Sequence, residues 1–300
     1  MPGAPSISVV IPAYDAERTI GTVVEALGAQ QPAPREIVVV DDGSRDNTGR
    51  VAERLGARVL RTEGRGYAGG ARNRGWDAVS GDVVVFLDAD CVPAPGWGAG
   101  LARALAEFPG AIVGCARTFS ARTAWGWVGY LQSETPYLPL GEPRRVGFVC
   151  SYCMAVPRDA PLRWDESYGG EDGIFCVDAL DAGIDLVFDP RFQTVHDHEK
   201  DSFAGLRRQQ DRLAYSLARV GPVQREAVRK RIFARVPVHY FALLRLPAIY
   251  GRLQAQPELR ARLVRLLPRM VVAEWTLGLF ALRYALRPPP LRGQSGGGFR

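Results

Sequence analysis

The chain has little with which covalent cross-links or a bilayer could organise it. Its 300 residues hold five cysteines, an odd number scattered through apolar stretches, and that does not make a disulfide framework. Cys150-Ser151-Tyr152-Cys153 has C-x-x-C spacing, but it lies in a strand-like run over 148–156 that ends at Pro157. A redox pair would instead open a helix after a βα unit, so these are expected to be packing cysteines. Nothing ahead of Ile7-Ser8-Val9-Val10-Ile11 carries a basic segment or a long apolar run, and a cytosolic start is expected. The apolar stretch 270–286 is only about 17 residues long and contains Glu274 and Arg283, short of a comfortable spanning helix. No recognisable nucleic-acid module accompanies the basic residues, so nucleic acid is not an expected partner. Apolar and charged fractions of 47% and 23% exclude disordered and fibrous classes.

What is present is unevenly distributed. Residues 1–200 hold 19 basic against 27 acidic side chains, and residues 201–300 hold 19 against 5. The two parts therefore suit different partners, the basic one phosphates or an anionic membrane surface. The first hundred residues alternate strand and helix signals. Strands are predicted over 8–12, 36–40, 57–60 and 82–87, and helices over 16–30 (Ile20, Val23, Val24, Leu27), 48–55 and 69–79. Apolar runs of this kind belong to strands buried on both faces, which predicts an α/β fold with a parallel, doubly wound sheet.

Ligands on such sheets bind beyond the carboxyl ends of the strands. Those ends carry Pro12-Ala13-Tyr14-Asp15, Asp41-Asp42-Gly43-Ser44 and Asp88-Ala89-Asp90. Clustered acids repel one another unless a cation or a hydrogen-bonding ligand joins them. Solvated turn acids explain Asp46 or Asp15 well, but Asp88 and Asp90 less well, because Cys91-Val92-Pro93 is a poor helix start. A competing pattern is Gly64-Arg65-Gly66-Tyr67-Ala68-Gly69, a G-x-G-x-x-G run with Asp88 about twenty residues on, which would suit a nicotinamide dinucleotide. Against it stand its place on the third strand, the arginines Arg65, Arg72 and Arg74, and the doubled acid at 88 and 90.

Five ordered blocks resemble the inverting family-2 glycosyltransferases with the GT-A fold. They are Ser8-Val9-Val10-Ile11-Pro12-Ala13-Tyr14, then Val39-Val40-Asp41-Asp42-Gly43-Ser44, then Gly69-Gly70-Ala71-Arg72-Asn73-Arg74-Gly75, then Phe86-Leu87-Asp88-Ala89-Asp90, and Gly169-Gly170-Glu171-Asp172. The resemblance spans about residues 6–215. It implies a hexosyltransferase-type enzyme using a UDP- or GDP-sugar, with Asp90 holding Mg²⁺ or Mn²⁺ against the leaving diphosphate. It also implies base and ribose contacts from Pro12, Ala13, Tyr14, Asp41 and Asp42, a base or phosphate contact from Arg72, and Asp88 against ribose or sugar hydroxyls. Asp172 is the implied base for inversion, beside Glu171. As the bland alternative, both are helix-capping acids.

His196, with His198 as the other choice, follows the predicted strand 186–188 and resembles a third metal ligand. Gln209-Gln210-Asp211-Arg212-Leu213 resembles the Q-x-x-R-W block of processive members with Leu213 in place of Trp, which implies single-sugar transfer. Gln209 and Arg212 are then candidates to touch acceptor or diphosphate, or else lie on a surface helix. Trp125, Trp127, Tyr130 and Tyr137 suit sugar rings, lipid tails or a helix core equally.

The expected organisation is a GT-A catalytic domain over 1–205, with a donor half to about 117 and an acceptor half after it. A basic helical region follows over 206–287, with apolar stretches at 236–250 and 270–286, and 288–300 is a disordered tail. The helical region fits an in-plane contact with the inner face of the cell membrane. A cell-envelope glycan or lipid-linked acceptor would be met there. A GT-A-like binding protein with a dead site is the remaining rival.

Overall fold

A computed structural model describes residues 4–119, 121–196, 201–227 and 243–290, without the side chains of 221–227. The opening follows the predicted alternation: β1 (Ile7–Ala13), α1 (Glu17–Gly28), β2 (Glu36–Asp41), α2 (Thr48–Arg54), β3 (Arg58–Arg61), α3 (Tyr67–Ala78) and β4 (Val83–Leu87). The four apolar residues spaced along α1, Ile20, Val23, Val24 and Leu27, are all buried, as the helical period requires. All five residues of β4 are buried, whereas β3 at the border of the sheet keeps Arg58 and Arg61 exposed.

Next come β5 (Cys91–Pro93), α4 (Trp97–Glu107), β6 (Ile112–Phe119), α5 (Ala124–Ser133), β7 (Arg144–Arg145), β8 (Cys153–Pro157), α6 (Glu171–Asp181) and β9 (Leu186–His196). The strands form one sheet in the order β3-β2-β1-β4-β8-β6-β9-β5, with β7 also on β9. β3, β2, β1 and β4 pair in parallel; β8 runs antiparallel to β4 and to β6, and β5 and β7 antiparallel to β9. The parallel pairing expected of the four strands in the first hundred residues is present, and the antiparallel strands all come after them. A strand buried on both faces, such as β8 with Cys153, Met154, Ala155 and Val156, has the same apolar composition in either direction. The last strand is also longer than 186–188. It continues through Asp189 and Pro190, where Arg191 pairs with the fully buried Asp189, so His196 closes the strand rather than following it.

Packing accounts for two of the glycines in the rival dinucleotide pattern. A Cβ at Gly69 would lie 2.0 Å from the Asp165 carbonyl oxygen, and the Gly66 N–H donates to the Asp42 carboxylate. The smallness of Gly69 serves chain-to-chain approach within the fold. Gly69→Ala is expected to destabilise by about 1–3 kcal/mol through overpacking against backbone. Chemical denaturation measures this directly, and an unchanged midpoint would show that the chain yields there freely.

The contacts divide the chain into two units, Met1–Thr118 with Pro139–Asp197, and Phe119–Leu138 with His198–Arg300. The second contains α5, α7 (Phe203–Ala227), α8 (Arg245–Arg252), α9 (Pro257–Arg265) and α10 (Leu267–Leu286), and α10 packs along α7. Of the predicted stretch 236–250, residues 236–242 lie outside the described residues. Glu274, fully buried in α10, accepts from Gln132 Nε2 at 2.8 Å and pairs with Arg245 at 3.3 Å. Gln210 Nε2 donates to the Gln132 side-chain oxygen at 2.8 Å, extending the network. Trp125 packs on Phe203, Trp127 meets Tyr130 edge-on, and the Arg262 guanidinium lies 3.8 Å from the Trp127 ring centre. These aromatics are therefore engaged within their own helical unit. Pro289 is buried and the Pro290 carbonyl accepts from Arg219, while 291–300 of the predicted tail lie outside the described residues. Among the described residues, no helix is long and apolar enough to cross a membrane.

Candidate active site

The carboxyl ends of β1, β2 and β4 bring the predicted loops to one edge of the sheet. Tyr14, half-buried, lies under the Arg65 guanidinium at 4.1 Å from its ring centre. The Ala13 carbonyl accepts from the Asp42 N–H, and Pro12 pairs with Val40 in the β1–β2 register. Asp41 accepts from the Ser44 N–H at 3.0 Å. The Asp42 carboxylate accepts the Gly66 N–H at 2.9 and 3.0 Å and the Thr62 hydroxyl at 3.3 Å. Asp42 thereby secures the loop that carries Arg65, a structural task that a predicted base contact did not reveal.

Beyond β4 the chain turns tightly, with the Cys91 N–H bonded to the Asp88 carbonyl and the Asp88 N–H to Tyr152. The turn separates the two acids. Asp88 faces α3, where Arg72 donates to it at 3.0 Å, while Asp90 faces β9 and lies 3.0 Å from His196 Nε2. His196 is 8% exposed, and His198 falls outside the described residues.

Arg72 is the hub of the site. It is 2% exposed and joins Asp88 to Glu171 (3.2 Å) and Ser151 (3.1 Å), with its guanidinium 4.6 Å from the Trp164 ring centre. Trp164 is itself fixed by stacking on Phe175 at 4.1 Å and by edge contact with Phe86. Asn73 clamps the same segment, donating to the Trp164 carbonyl and accepting its N–H. Burial opposes the charge on Arg72, but Asp88, Glu171 and Asp172 more than offset that and hold its pKa above the ordinary value.

Gly169 and Gly170 have φ of +72° and +78°. Two consecutive left-handed residues are accessible without strain only to glycine. They swing the chain into α6, whose first turn carries Glu171 and Asp172. Gly170 occupies the cap, so neither acid is the capping residue, and Asp172 accepts the adjacent Gly173 N–H at 2.8 Å. Burial, then the Glu171 charge, pushes the Asp172 pKa up to about 7, against the lowering effect of Arg72. Burial also raises Asp88, with Arg72 pulling down and Asp90 pushing up. A carboxylate of pKa about 7 is well matched to take a proton at neutral pH.

Asp90 and His196 fit a divalent cation. One carboxylate oxygen and one imidazole nitrogen suit Mn²⁺ or Mg²⁺ completed by water and phosphate oxygens. Their 3.0 Å separation equals that of neighbouring donors about 2.1 Å from an octahedral ion. Arg212 lies exposed on α7 of the other unit, where Gln210 is buried and Asp211 accepts from Tyr284. Ser151, Trp164 and Cys91 carry no sequence signal for their places. Each depends on a partner distant in the chain or on the next strand.

Known proteins share both sequence and fold with this chain. The amylovoran biosynthesis glycosyltransferase AmsB of Erwinia amylovora is 39% identical over 93 residues, 28% of this chain and 31% of AmsB. The matched segments span between 15% and 33% of the first four curated relatives. The mannosyltransferase PcManGT from Pyrobaculum calidifontis, solved with GDP-Man and Mn²⁺, superposes with a TM-score of 0.64 at 18% identity, covering 95% of this chain and 88% of that one. Glucosyl-3-phosphoglycerate synthase from Mycobacterium tuberculosis, solved with phosphoglyceric acid, gives 0.50 at 25% identity, over 74% and 79% of the chains. These neighbours bear out the expected GT-A architecture. The model of "Glycosyl transferase family 2" matches residues 8–161, half of the chain, which therefore belongs to that family.

Proposed function

We propose that this chain transfers one sugar, with inversion, from a UDP- or GDP-sugar to a hydroxyl of a glycan or lipid-linked acceptor. The observation that carries the reading is the division of labour at one sheet edge. A cation-competent Asp90–His196 pair stands on one side of the β4 turn, and an Arg72-organised group ending in a proton-accepting Asp172 on the other. PcManGT, of the same fold, was solved with GDP-Man and Mn²⁺. Asp90 and His196 would hold Mn²⁺ or Mg²⁺, which when bound neutralises charge on a departing nucleoside diphosphate. Asp172 takes the proton of the acceptor hydroxyl, while Glu171 and Arg72 hold it in place. Asp88 meets ribose or sugar hydroxyls, and the strand ends at Pro12–Tyr14 and Asp41–Asp42 bound the nucleoside side. Leu213 in place of an aromatic residue supports single transfer. A thermal-shift panel of nucleotide sugars tests the class: one donor should stabilise the protein, and more so with Mn²⁺. No stabilisation by any donor with metal would defeat the reading.

The pH profile follows from Asp172. Its carboxyl must be ionised to accept a proton, so kcat/KM should fall about tenfold per pH unit below about 7 and level off above. A flat profile from pH 5.5 to 8 would exclude Asp172 as the titrating base.

The helical unit supports contact with an anionic membrane surface at the inner face of the cell membrane. Along α10, Val272, Trp275, Leu279, Leu282 and Leu286 recur every three or four residues and are 39–75% exposed, while Met270, Ala273, Leu277 and Tyr284 are buried on the other side. Arg265, Arg269, Arg283 and Arg287 flank that row. An exposed apolar stripe rimmed by arginine suits the interface of an anionic bilayer. Vesicles containing anionic lipid should bind the protein in a salt-sensitive way, and Leu279→Glu should weaken binding. Equal binding to neutral vesicles, or none, would rule this out.

A further inference from the structure

A third metal-ligating side chain stands beside Asp90 and His196. Cys91 opens β5 and is paired with His196 in the antiparallel β5–β9 register. Residues directly opposite in such a pair project from the same face, so the strand pairing itself brings the thiol to the imidazole. Cys91 Sγ is 3.7 Å from Asp90 Oδ1, and one ligand atom from each of Asp90, Cys91 and His196 lies within 4.8 Å of the other two. Cys91 is fully buried and in no disulfide, whereas the Asp90 side chain is 45% exposed and provides a solvent-side entrance.

We propose that Cys91 is a soft third donor that lets Zn²⁺ or Cd²⁺ capture the Asp90–His196 position and exclude the oxygen-preferring Mg²⁺ or Mn²⁺. The inference rests on the metal reading of Asp90 and His196 and adds a regulation of that same site. A carboxylate, an imidazole and a thiolate make a mixed O/N/S set. Borderline-soft ions favour such sets, usually in tetrahedral geometry, while Mg²⁺ and Mn²⁺ favour oxygen-rich octahedra. On capture, the thiol proton leaves to solvent and sulfur takes one coordination position. A four-coordinate ion held by three protein donors keeps one open position, too few for a nucleoside diphosphate chelated through two oxygens. Thiophilic ions are therefore inhibitors of this chain at the site where Mn²⁺ or Mg²⁺ supports it.

Cobalt(II) substitution tests this in the full chain. Metal-free protein titrated with Co²⁺ should develop thiolate-to-cobalt charge-transfer absorption in the near ultraviolet together with the visible bands of bound cobalt. The ultraviolet band should vanish in Cys91→Ser and Cys91→Ala and persist in Cys115→Ser and Cys153→Ser. Zn²⁺ affinity should drop at least about tenfold in either Cys91 variant, and one that keeps the wild-type circular dichroism suffices. Visible bands without the ultraviolet band in wild type, or a band surviving in Cys91→Ser, would overturn the proposal. If neither Co²⁺ nor Mn²⁺ binds the wild-type chain, by absorption or by electron paramagnetic resonance, the metal reading fails and this inference with it.

Discussion

Asp172→Asn should lower kcat by about 10²–10⁴-fold while leaving nucleotide affinity within about twofold. The amide is nearly isosteric, can still accept the Gly173 N–H through its oxygen, and cannot take a proton from an acceptor hydroxyl. A second readout separates chemistry from folding. Because the Asp172 pKa is raised to about 7 from an unfolded value near 3.8, the protonated form is the one the fold favours. The associated stability is fully present below about pH 4 and is lost as pH rises through about 7. At pH 8 the wild-type fold carries an unfavourable, partly buried charge, so Asp172→Asn should have an equal or higher Tm there. Loss of activity with a lower Tm at pH 8 would point to a structural role instead. Turnover within tenfold of wild type would remove Asp172 as the base.

Arg72→Met carries the second large effect. The residue is buried between Asp88, Glu171 and Ser151, and the Asp172 charge also reaches it. Removing it leaves several carboxylates unneutralised. Breaking a buried pair costs about 3–5 kcal/mol, and the partial exposure of Asp88 (35%) reduces that to about 2–3 kcal/mol. Since Arg72 lowers the pKa of both Asp88 and Asp172, its loss should also move the acid limb of kcat/KM to higher pH. Arg72→Lys should recover part of the stability, because the charge remains but the planar fork that reaches three groups is gone. A Met variant as stable as wild type, with an unmoved pH limb, would show that the hub is dispensable.

The first four strands of the sheet and their helices were legible in the sequence because their signals are local. The spacing of Ile20, Val23, Val24 and Leu27 predicts a buried helix face, and those residues are buried. The acids that end β2 and β4 follow from the rule that ligands gather at strand ends. Strand direction after β4 was not legible, since the residues of β8 are apolar on both faces in either orientation. The Arg72–Glu171 link crosses 99 positions, and nothing near Arg72 marks it as a hub. Pro190 hid the continuation of β9, and with it the register that sets Cys91 opposite His196. Glu274 and Arg283 within 270–286 lie on α10, and among the described residues no helix is long and apolar enough to cross a membrane. Glu274 proves to be the buried centre of a polar network.

Metal-dependent sugar transfer at the Asp90–His196 pair is the activity proposed for this chain. Release of nucleoside diphosphate from the donor that stabilises the protein, with and without chelator, tests it most directly. Release should stop in EDTA, return with added Mn²⁺, and fall at least about a hundredfold in Asp90→Asn. Undiminished release in EDTA, or an Asp90→Asn variant as active as wild type, would contradict it.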